Sequence, residues 1–231
     1  MNEMNNMYEN LQNTSNDEHG SNTFDEFVRT KGIIIADDDA IKGYQNLDVG
    51  CSCRSSDEIN NYLTLKYTDQ VDDYIEKAKH TNDVNRDDNS LDENIKSIDD
   101  VFHDKGYRLS EHSVLFKGID SFKPYYDILD LEKLRKGDEI KFHFYISTTA
   151  SEDKAVTFCK GETKILLELS GLSNVLCIFP ENVSVLGMAD STNKEQEVVI
   201  NRNTTLKVVS IVDVVCKSGQ QIRKIHLKIK A

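Results

Sequence analysis

Two carboxylates, Glu195 and Glu197, lie one residue apart at the start of a β-branched apolar run, residues 198–200. The run predicts a strand, in which alternate residues point to the same face about 6.6 Å apart. On this prediction the two glutamates share one face, where they can position a nucleophile and stabilise a developing cation. The pattern is equally typical of solvated acids on an edge strand, so it carries a function only if the chain supplies partners.

Two further polar residues end strand-like runs and are candidate partners. Lys117 follows the apolar residues 114–116 and precedes Gly118, and Ser147 ends the alternating run 139–147. Each has a structural interpretation as well. A lysine before a glycine is commonly a solvated charge at a bend, and a Ser-Thr-Thr sequence before a helix commonly caps it. The three sites therefore indicate chemistry only if they meet around one sheet.

The composition restricts the partners of the chain. Its 231 residues are 38 % hydrophobic and 29 % charged with 2 prolines, which is typical of a soluble globular core with some disordered sequence attached. The net charge of −12 opposes general attraction to nucleic acid or anionic membranes. No apolar run approaches the roughly 18–20 residues of a membrane span. The first residues also lack the basic and apolar regions of a secretory signal.

The residues that commonly bind metals form no recognisable site. Five cysteines and six histidines are scattered without a CxxC pair or an HExxH pattern. The odd number of cysteines favours reduced thiols in a reducing cytosol. We expect no metal, and the chain has no glycine-rich phosphate loop.

The order of the predicted elements indicates the fold class. Residues 1–22 are expected to be a disordered tail, and 23–231 a single domain with a helical part at about 55–105 and a β-rich part at about 110–231. Capping boxes predict helix starts at Ser55, Ser90 and Thr149. Further helical patterns cover 71–78 and 124–134. Because helices lead and strands follow, we expect an α+β domain with a largely antiparallel sheet. Strand patterns cover residues 114–119, 139–147, 165–169, 175–179, 198–200, 205–215 and 222–229.

These pieces together resemble the arginine-type mono-ADP-ribosyltransferases, whose signature is Arg, then Ser-Thr-Ser, then Glu-x-Glu. Transferases of T-even phages and bacterial ADP-ribosylating toxins are similar. The matching segments are 113–119, 144–149 and 195–200, and the resemblance covers roughly residues 55–231. Thr149 replaces the last serine and keeps its hydroxyl. Lys117 replaces the family arginine, and a lysine point charge is not equivalent to the two-pronged guanidinium.

The resemblance implies a fold and a role for each matching residue. N-terminal helices would precede a split antiparallel β-sandwich with a central NAD cleft. Glu197 would hold the ribose 2′-hydroxyl and face the developing cation, Ser147 would orient Glu197, and Glu195 would bind and help deprotonate an incoming guanidinium. Lys117 would contact a phosphate or ribose of NAD. The remaining residues implied to bind NAD are Gly118, Ser147, Thr148, Thr149 and Phe158.

The resemblance also implies a reaction, with NAD as co-substrate and no metal. The chain would cleave the nicotinamide–ribose bond and transfer ADP-ribose to a protein acceptor, with Glu195 pointing to arginine. The expected partners are NAD and a target protein in the cytoplasm of a host cell, where a monomeric, phage-made or delivered enzyme would act. Neither a membrane nor nucleic acid is an expected partner. Three alternatives stay open: an NAD glycohydrolase, transfer to a non-protein acceptor such as RNA, and a non-catalytic binding module in which Lys117 marks lost activity.

Overall fold

The computed structural model describes residues 41, 44, 56–68, 88–180, 196–215 and 219–230. Several sequence predictions lie outside the described residues. They are the tail 1–22, the helical pattern 71–78, the cap Ser55, the carboxylate of Glu195 with most of the loop before it, and the thiols of Cys51, Cys53 and Cys216. Cys159 and Cys177 are described and buried, and neither forms a disulfide with another described residue.

Three α-helices are defined within the described residues: α1 Ser56–Tyr67, α2 Asp88–Lys105 and α3 Glu152–Thr157. Two 3₁₀ turns, Pro124–Leu129 and Leu172–Asn174, lie between strands. The predicted apolar stripes of α1 and α2 are confirmed as core faces, because the side chains at helical spacing are buried. They are Ile59, Tyr62 and Leu63 on α1, and Leu91, Ile95, Ile98 and Phe102 on α2.

Two of the predicted helix starts are wrong. Helix α2 begins at Asp88, two residues before the predicted cap Ser90. Helix α3 is capped by Ser151, whose hydroxyl accepts a hydrogen bond from the Lys154 amide at 3.3 Å, and not by Thr149. In both regions several residues of capping type are adjacent, and sequence spacing alone does not rank them. Within the predicted helical segment 124–134, the structure has a 3₁₀ helix of 6 residues that ends at Leu129.

Eight strands form the sheet of the described residues. They are β1 Leu115–Gly118, β2 Glu139–Phe142, β3 Ile146–Thr149, β4 Ile165–Ser170, β5 Cys177–Ile178, β6 Glu197–Ile200, β7 Thr204–Val215 and β8 Gln221–Ile229. Their order across the sheet is β2-β7-β8-β4-β1-β3-β6-β5. Every neighbouring pair is antiparallel except β4 and β8, which are parallel.

The sheet narrows at one place. Strand β1 pairs with β4 over four residues, but its register with β3 is the single pair Phe116 and Thr149. This contact joins a larger part, β2-β7-β8-β4-β1, to a smaller part, β3-β6-β5. The predicted α+β fold with a split, largely antiparallel sheet is confirmed. The two sequence segments that resemble the family's first and second motifs meet at the narrow point.

The predicted strand 139–147 is two strands. Its alternation is real, since Ile140, Phe142, Phe144 and Ile146 are all buried. However, residues 143–145 leave the ladder, so β2 pairs with β7 while β3 pairs with β6. Burial on one face continues through the break because both halves contact the same core. The periodicity of apolar residues indicates which face is buried, but it does not indicate which neighbouring strand each residue pairs with.

The aromatic side chains of this core surround Tyr145, which stacks on Phe102 with ring centroids 5.6 Å apart and meets Tyr44 edge-on at 5.7 Å. Tyr145 is buried, although the alternation predicted it on the more polar face.

The described helices include none that combines the length and apolar character needed to cross a membrane.

Candidate active site

A cleft of about 330 Å³ opens beside the narrow point of the sheet. One wall is formed by β1, β3 and the first residue of β6, and the other by α1 and the 3₁₀ turn Pro124–Leu129. The volume lies at the lower end of the range of about 300–1,000 Å³ that is typical of small-molecule sites. The cleft contains each described residue that the sequence predicted for the site: Lys117, Gly118, Ser147, Thr148, Thr149, Phe158 and Glu197.

The side chains of Ser147 and Glu197 are joined directly. The register pairs Thr149 with Glu197 and Ser147 with Val199, so Ser147 is a diagonal neighbour of Glu197 on the same face. The Ser147 hydroxyl donates to Glu197 Oε1 at 2.5 Å. Both side chains are half-buried. A charge-assisted hydrogen bond to the carboxylate restricts its orientation.

Strand β6 does not include Gln196, and the predicted shared face of Glu195 and Glu197 involves a residue outside the described part of the chain. Strand β6 begins at Glu197, and Gln196 has a φ of +51°, which belongs to the left-handed region. The Gln196 carbonyl accepts a hydrogen bond from the Ala150 amide at 3.4 Å. Gln196 therefore lies outside the strand and is held against the segment that leads into α3.

Lys117 lines the cleft and extends toward β3. Its Nζ donates to the Ser147 carbonyl at 2.7 Å and lies 5.5 Å from the centroid of the Tyr126 ring. Burial lowers the pKa of Lys117 to about 8, although the carboxylates of Glu197 and Asp57 act in the opposite direction. The ammonium is therefore hydrogen-bonded to the protein within the cleft wall.

Three other predicted NAD-binding residues make structural contacts in the cleft wall. A Cβ on Gly118 would lie 2.0 Å from the Ala155 carbonyl oxygen, so glycine is needed for the close approach of β1 to α3. Thr148 donates to the Val198 carbonyl at 2.5 Å, and the Thr149 hydroxyl accepts from the Ser151 amide at 3.1 Å. These contacts shape the cleft and fix the strand pairing beneath it.

Phe158 ends α3 at the edge of the cleft and is 41 % exposed. Its ring is available to a flat ligand because no core contact covers that fraction of its surface. Lys160 lies two residues further, at the same edge, and its Nζ is 3.4 Å from Asp120 Oδ2. The cleft thus combines an aromatic ring with cations, although the chain as a whole is acidic.

Sequence reasoning missed the opposite wall of the cleft. Asp57 on α1 accepts hydrogen bonds from the Lys123 ammonium and from the Tyr125 hydroxyl, the latter at 3.1 Å. One turn further, the Asn60 side chain donates to the Tyr44 hydroxyl at 3.4 Å. Among the described residues, the buried Asn60 Oδ1 has no hydrogen-bond donor. The i, i+3 spacing of Asp57 and Asn60 was the available signal, but the capping box at Ser55 predicts only a helix start there.

The tyrosines of this wall are neutral hydrogen-bonding groups. Burial raises the pKa of Tyr44, and burial followed by the Asp57 carboxylate raises the pKa of Tyr125. Burial, with a smaller effect of Tyr125, raises the pKa of Tyr126 well above its ordinary value.

The described residues contain no group of three or more His, Cys, Asp and Glu side chains that could hold a metal ion.

Comparisons with known proteins agree with this fold. The family model described as ADP-ribosyltransferase exoenzyme matches residues 17–230. The C3 exoenzyme of Clostridium limosum is similar in structure, with a TM-score of 0.57 and 16 % identity over 93 % of this chain and 95 % of that chain. C3larvin of Paenibacillus larvae gives 0.52 and 16 % over 90 % and 94 %. The ADP-ribosyltransferase Vis of Vibrio splendidus, in complex with agmatine, gives 0.51 and 14 % over 96 % and 86 %. A search of curated proteins gives no match.

Proposed function

The chain belongs to the ADP-ribosyltransferase exoenzyme family, and on that premise we propose that it transfers a single ADP-ribose from NAD to an arginine of a target protein. The observation that carries the proposal is the hydrogen bond of 2.5 Å from Ser147 to Glu197 inside the cleft. It joins the second and third motifs of the family pattern, which are 50 residues apart in sequence.

The co-substrate of ADP-ribosyltransferases is NAD, and the lining of the cleft suits its parts. The exposed ring of Phe158 offers a stacking surface to a flat heterocycle. Asn60 Oδ1, which lacks a donor among the described residues, can accept a hydrogen bond from a ribose hydroxyl or an amide. The lysines at the cleft suit the negative charge of a pyrophosphate, with Lys160 at the edge near Phe158 as the candidate contact.

Glu197 is assigned the central chemical role. When the bond between ribose C1′ and the nicotinamide nitrogen breaks, the nicotinamide leaves with the bonding electron pair, and positive charge develops on the ribose. A fixed carboxylate stabilises that charge more in the transition state than in the ground state. Glu197 also accepts a hydrogen bond from the ribose 2′-hydroxyl in this assignment. Ser147 prevents the carboxylate from rotating, so little reorganisation is needed during the reaction.

Glu195 is assigned to the acceptor. A guanidinium nitrogen attacks C1′ and must lose a proton as the new C–N bond forms, and a carboxylate next to the turn at Gln196 is suited to bind the guanidinium and take that proton. The loop at about 183–194 would present the target protein. The structure of Vis with agmatine, a compound with a guanidinium group, supports testing guanidinium acceptors first. We place the target in the cytoplasm of a host cell.

The deciding experiment incubates the purified chain with labelled NAD and three acceptors: agmatine, a panel of arginine-containing proteins and a cytosolic extract. Mass spectrometry then identifies the modified residues, and free nicotinamide is measured in parallel. Modified arginines support the proposal. Release of nicotinamide without modified protein would instead indicate an NAD glycohydrolase, and modified RNA in the extract would indicate a nucleic-acid acceptor. If neither nicotinamide release nor transfer of ADP-ribose is detected at any pH, the chain is a non-catalytic module.

A further inference from the structure

Lys117 occupies the narrow point at which the two parts of the sheet are joined. Between β1 and β3 the backbone register is the single pair Phe116 and Thr149. The Lys117 ammonium adds a second connection there, because its Nζ donates to the Ser147 carbonyl at 2.7 Å. Ser147 in turn donates through its hydroxyl to Glu197. A continuous chain of polar contacts therefore runs from β1 through β3 to the carboxylate on β6.

We propose that Lys117 is a positioning residue, which holds Ser147 against Glu197 through the Ser147 carbonyl, and not a ligand of an NAD phosphate. The proposal rests on the proposed function for its catalytic consequences. It departs from the sequence expectation that Lys117 contacts NAD directly. The geometry supports it because the Tyr126 ring lies 5.5 Å from Nζ and the carbonyl lies within hydrogen-bond distance, so two of the directions around the ammonium are occupied by protein.

The groups around the ammonium come from four elements. Ser147 on β3 accepts its hydrogen bond, Tyr126 of the 3₁₀ turn presents a ring face, and the carboxylates of Glu197 on β6 and Asp57 on α1 attract it electrostatically. Asp57 also binds the Lys123 ammonium and the Tyr125 hydroxyl. Glu197 is therefore the carboxylate most directly coupled to the charge of Lys117, both through space and through Ser147.

A lysine at this position can release its proton in the alkaline range, whereas an arginine guanidinium stays protonated. Burial lowers the pKa of Lys117 to about 8, against 10.5 for a free lysine. Above that pH the amine is neutral, its bond to the Ser147 carbonyl loses charge assistance, and Glu197 loses a neighbouring cation. We expect activity to fall as the pH rises through about 8.

Loss of the same proton has the opposite effect on the stability of the fold. Between pH 8 and 10.5 the unfolded chain holds the Lys117 proton and the folded chain has lost it, so this group makes unfolding less favourable as the pH rises. The activity therefore declines in a window in which the contribution of Lys117 to stability increases. A loss of activity in this pH window can therefore be attributed to lost positioning and not to unfolding.

The test compares the wild-type chain with Lys117→Arg and Lys117→Met between pH 6 and 10, using nicotinamide release with agmatine as acceptor. Lys133→Met, at an exposed site outside the cleft lining, is the matched control and should keep the wild-type profile. We expect kcat/KM of the wild type to fall above pH about 8, and the arginine variant to lack that alkaline decline. Lys117→Met should lose at least roughly tenfold in kcat with less than about threefold change in KM for NAD.

Other outcomes overturn the proposal. An increase in KM with an unchanged kcat in Lys117→Met would make Lys117 a ligand of NAD, and an identical alkaline decline in Lys117→Arg would assign that proton to another group. A crystal structure of Lys117→Met provides a readout that does not depend on activity. Separation of Ser147 Oγ from Glu197 Oε1 beyond hydrogen-bond distance supports positioning, and an unchanged 2.5 Å contact contradicts it. If no variant cleaves NAD, the proposed function fails while this structural comparison still decides the role of Lys117.

Discussion

Asp99 on α2 binds Arg202, in the turn after β6, through two nitrogens: Arg202 Nε donates to Asp99 Oδ1 at 3.0 Å, and Nη2 donates to Oδ2 at 2.6 Å. Tyr145, directly before β3, donates its hydroxyl to the same Oδ1 at 2.8 Å. Burial and then the Asp99 carboxylate raise the pKa of Tyr145, which keeps the phenol a donor. One carboxylate on α2 thus fixes the ends of the two strands that carry Ser147 and Glu197.

Asp99→Asn should therefore destabilise the protein. The variant replaces a two-pronged charged contact, about two-thirds shielded from solvent, with a neutral one, and we expect a loss of about 1–2 kcal/mol in the free energy of unfolding. Urea denaturation measures the effect. The exposed pair Asp130 and Lys133 is the control, and Asp130→Asn should change stability by less than about 0.5 kcal/mol. Equal effects of the two substitutions would show that the Asp99 cluster has no special structural role.

Gly118 provides a second test of stability, based on backbone packing. A Cβ there would lie 2.0 Å from the Ala155 carbonyl oxygen and 2.9 Å from the Cys159 nitrogen, and these backbone atoms cannot move aside cheaply. We expect Gly118→Ala to cost at least about 2 kcal/mol in the free energy of unfolding. Gly137→Ala is the comparison, since no atom lies within 4 Å of its Cβ position and only its φ of +97° is strained, at about 1 kcal/mol. A smaller loss for Gly118→Ala than for Gly137→Ala would contradict the packing argument.

The sequence predicted one wall of the candidate site and missed the other. Ser147 and Glu197 could be predicted from the sequence because each ends or begins a run of β-branched and apolar residues, and a strand pattern is a local property. Asp57 and Asn60 belong to the same cleft, but α1 reaches it only through the tertiary packing of its apolar face against the core. The turn at Gln196 was also missed, because no glycine marks it and its left-handed φ is held by a contact with Ala150.

Glu197→Gln tests the central chemical assignment. The amide keeps the size of the carboxylate and removes its charge, so the cation that develops on the ribose loses its stabilisation while the cleft keeps its shape. We expect nicotinamide release and ADP-ribose transfer to fall by about 10²–10³. Binding of NAD, measured by calorimetry, should change by less than about threefold. Full activity in this variant would reject Glu197 as the catalytic carboxylate.

Ser147→Ala tests whether the serine acts through Glu197. Removing the hydroxyl frees the carboxylate to rotate, and we expect about a tenfold to hundredfold loss in kcat in the wild-type background. In the Glu197→Gln background the same substitution should have almost no further effect, because residues that act as a unit are not additive. A double-mutant cycle of nicotinamide release gives the coupling. Fully additive losses would show that Ser147 contacts the substrate independently of Glu197.

Glu195→Gln should separate the two halves of the reaction. Cleavage of NAD needs the carboxylate of Glu197, whereas attack by a guanidinium needs a group that binds it and takes its proton, the role proposed for Glu195. Glu195 is assigned to the acceptor because it lies next to Gln196, which has a left-handed φ and precedes the first residue of β6. The ratio of modified agmatine to free ADP-ribose should fall by at least about tenfold, with nicotinamide release by hydrolysis retained. If both reactions fall together, as expected for Glu197→Gln, Glu195 instead supports cleavage of NAD and does not select the acceptor.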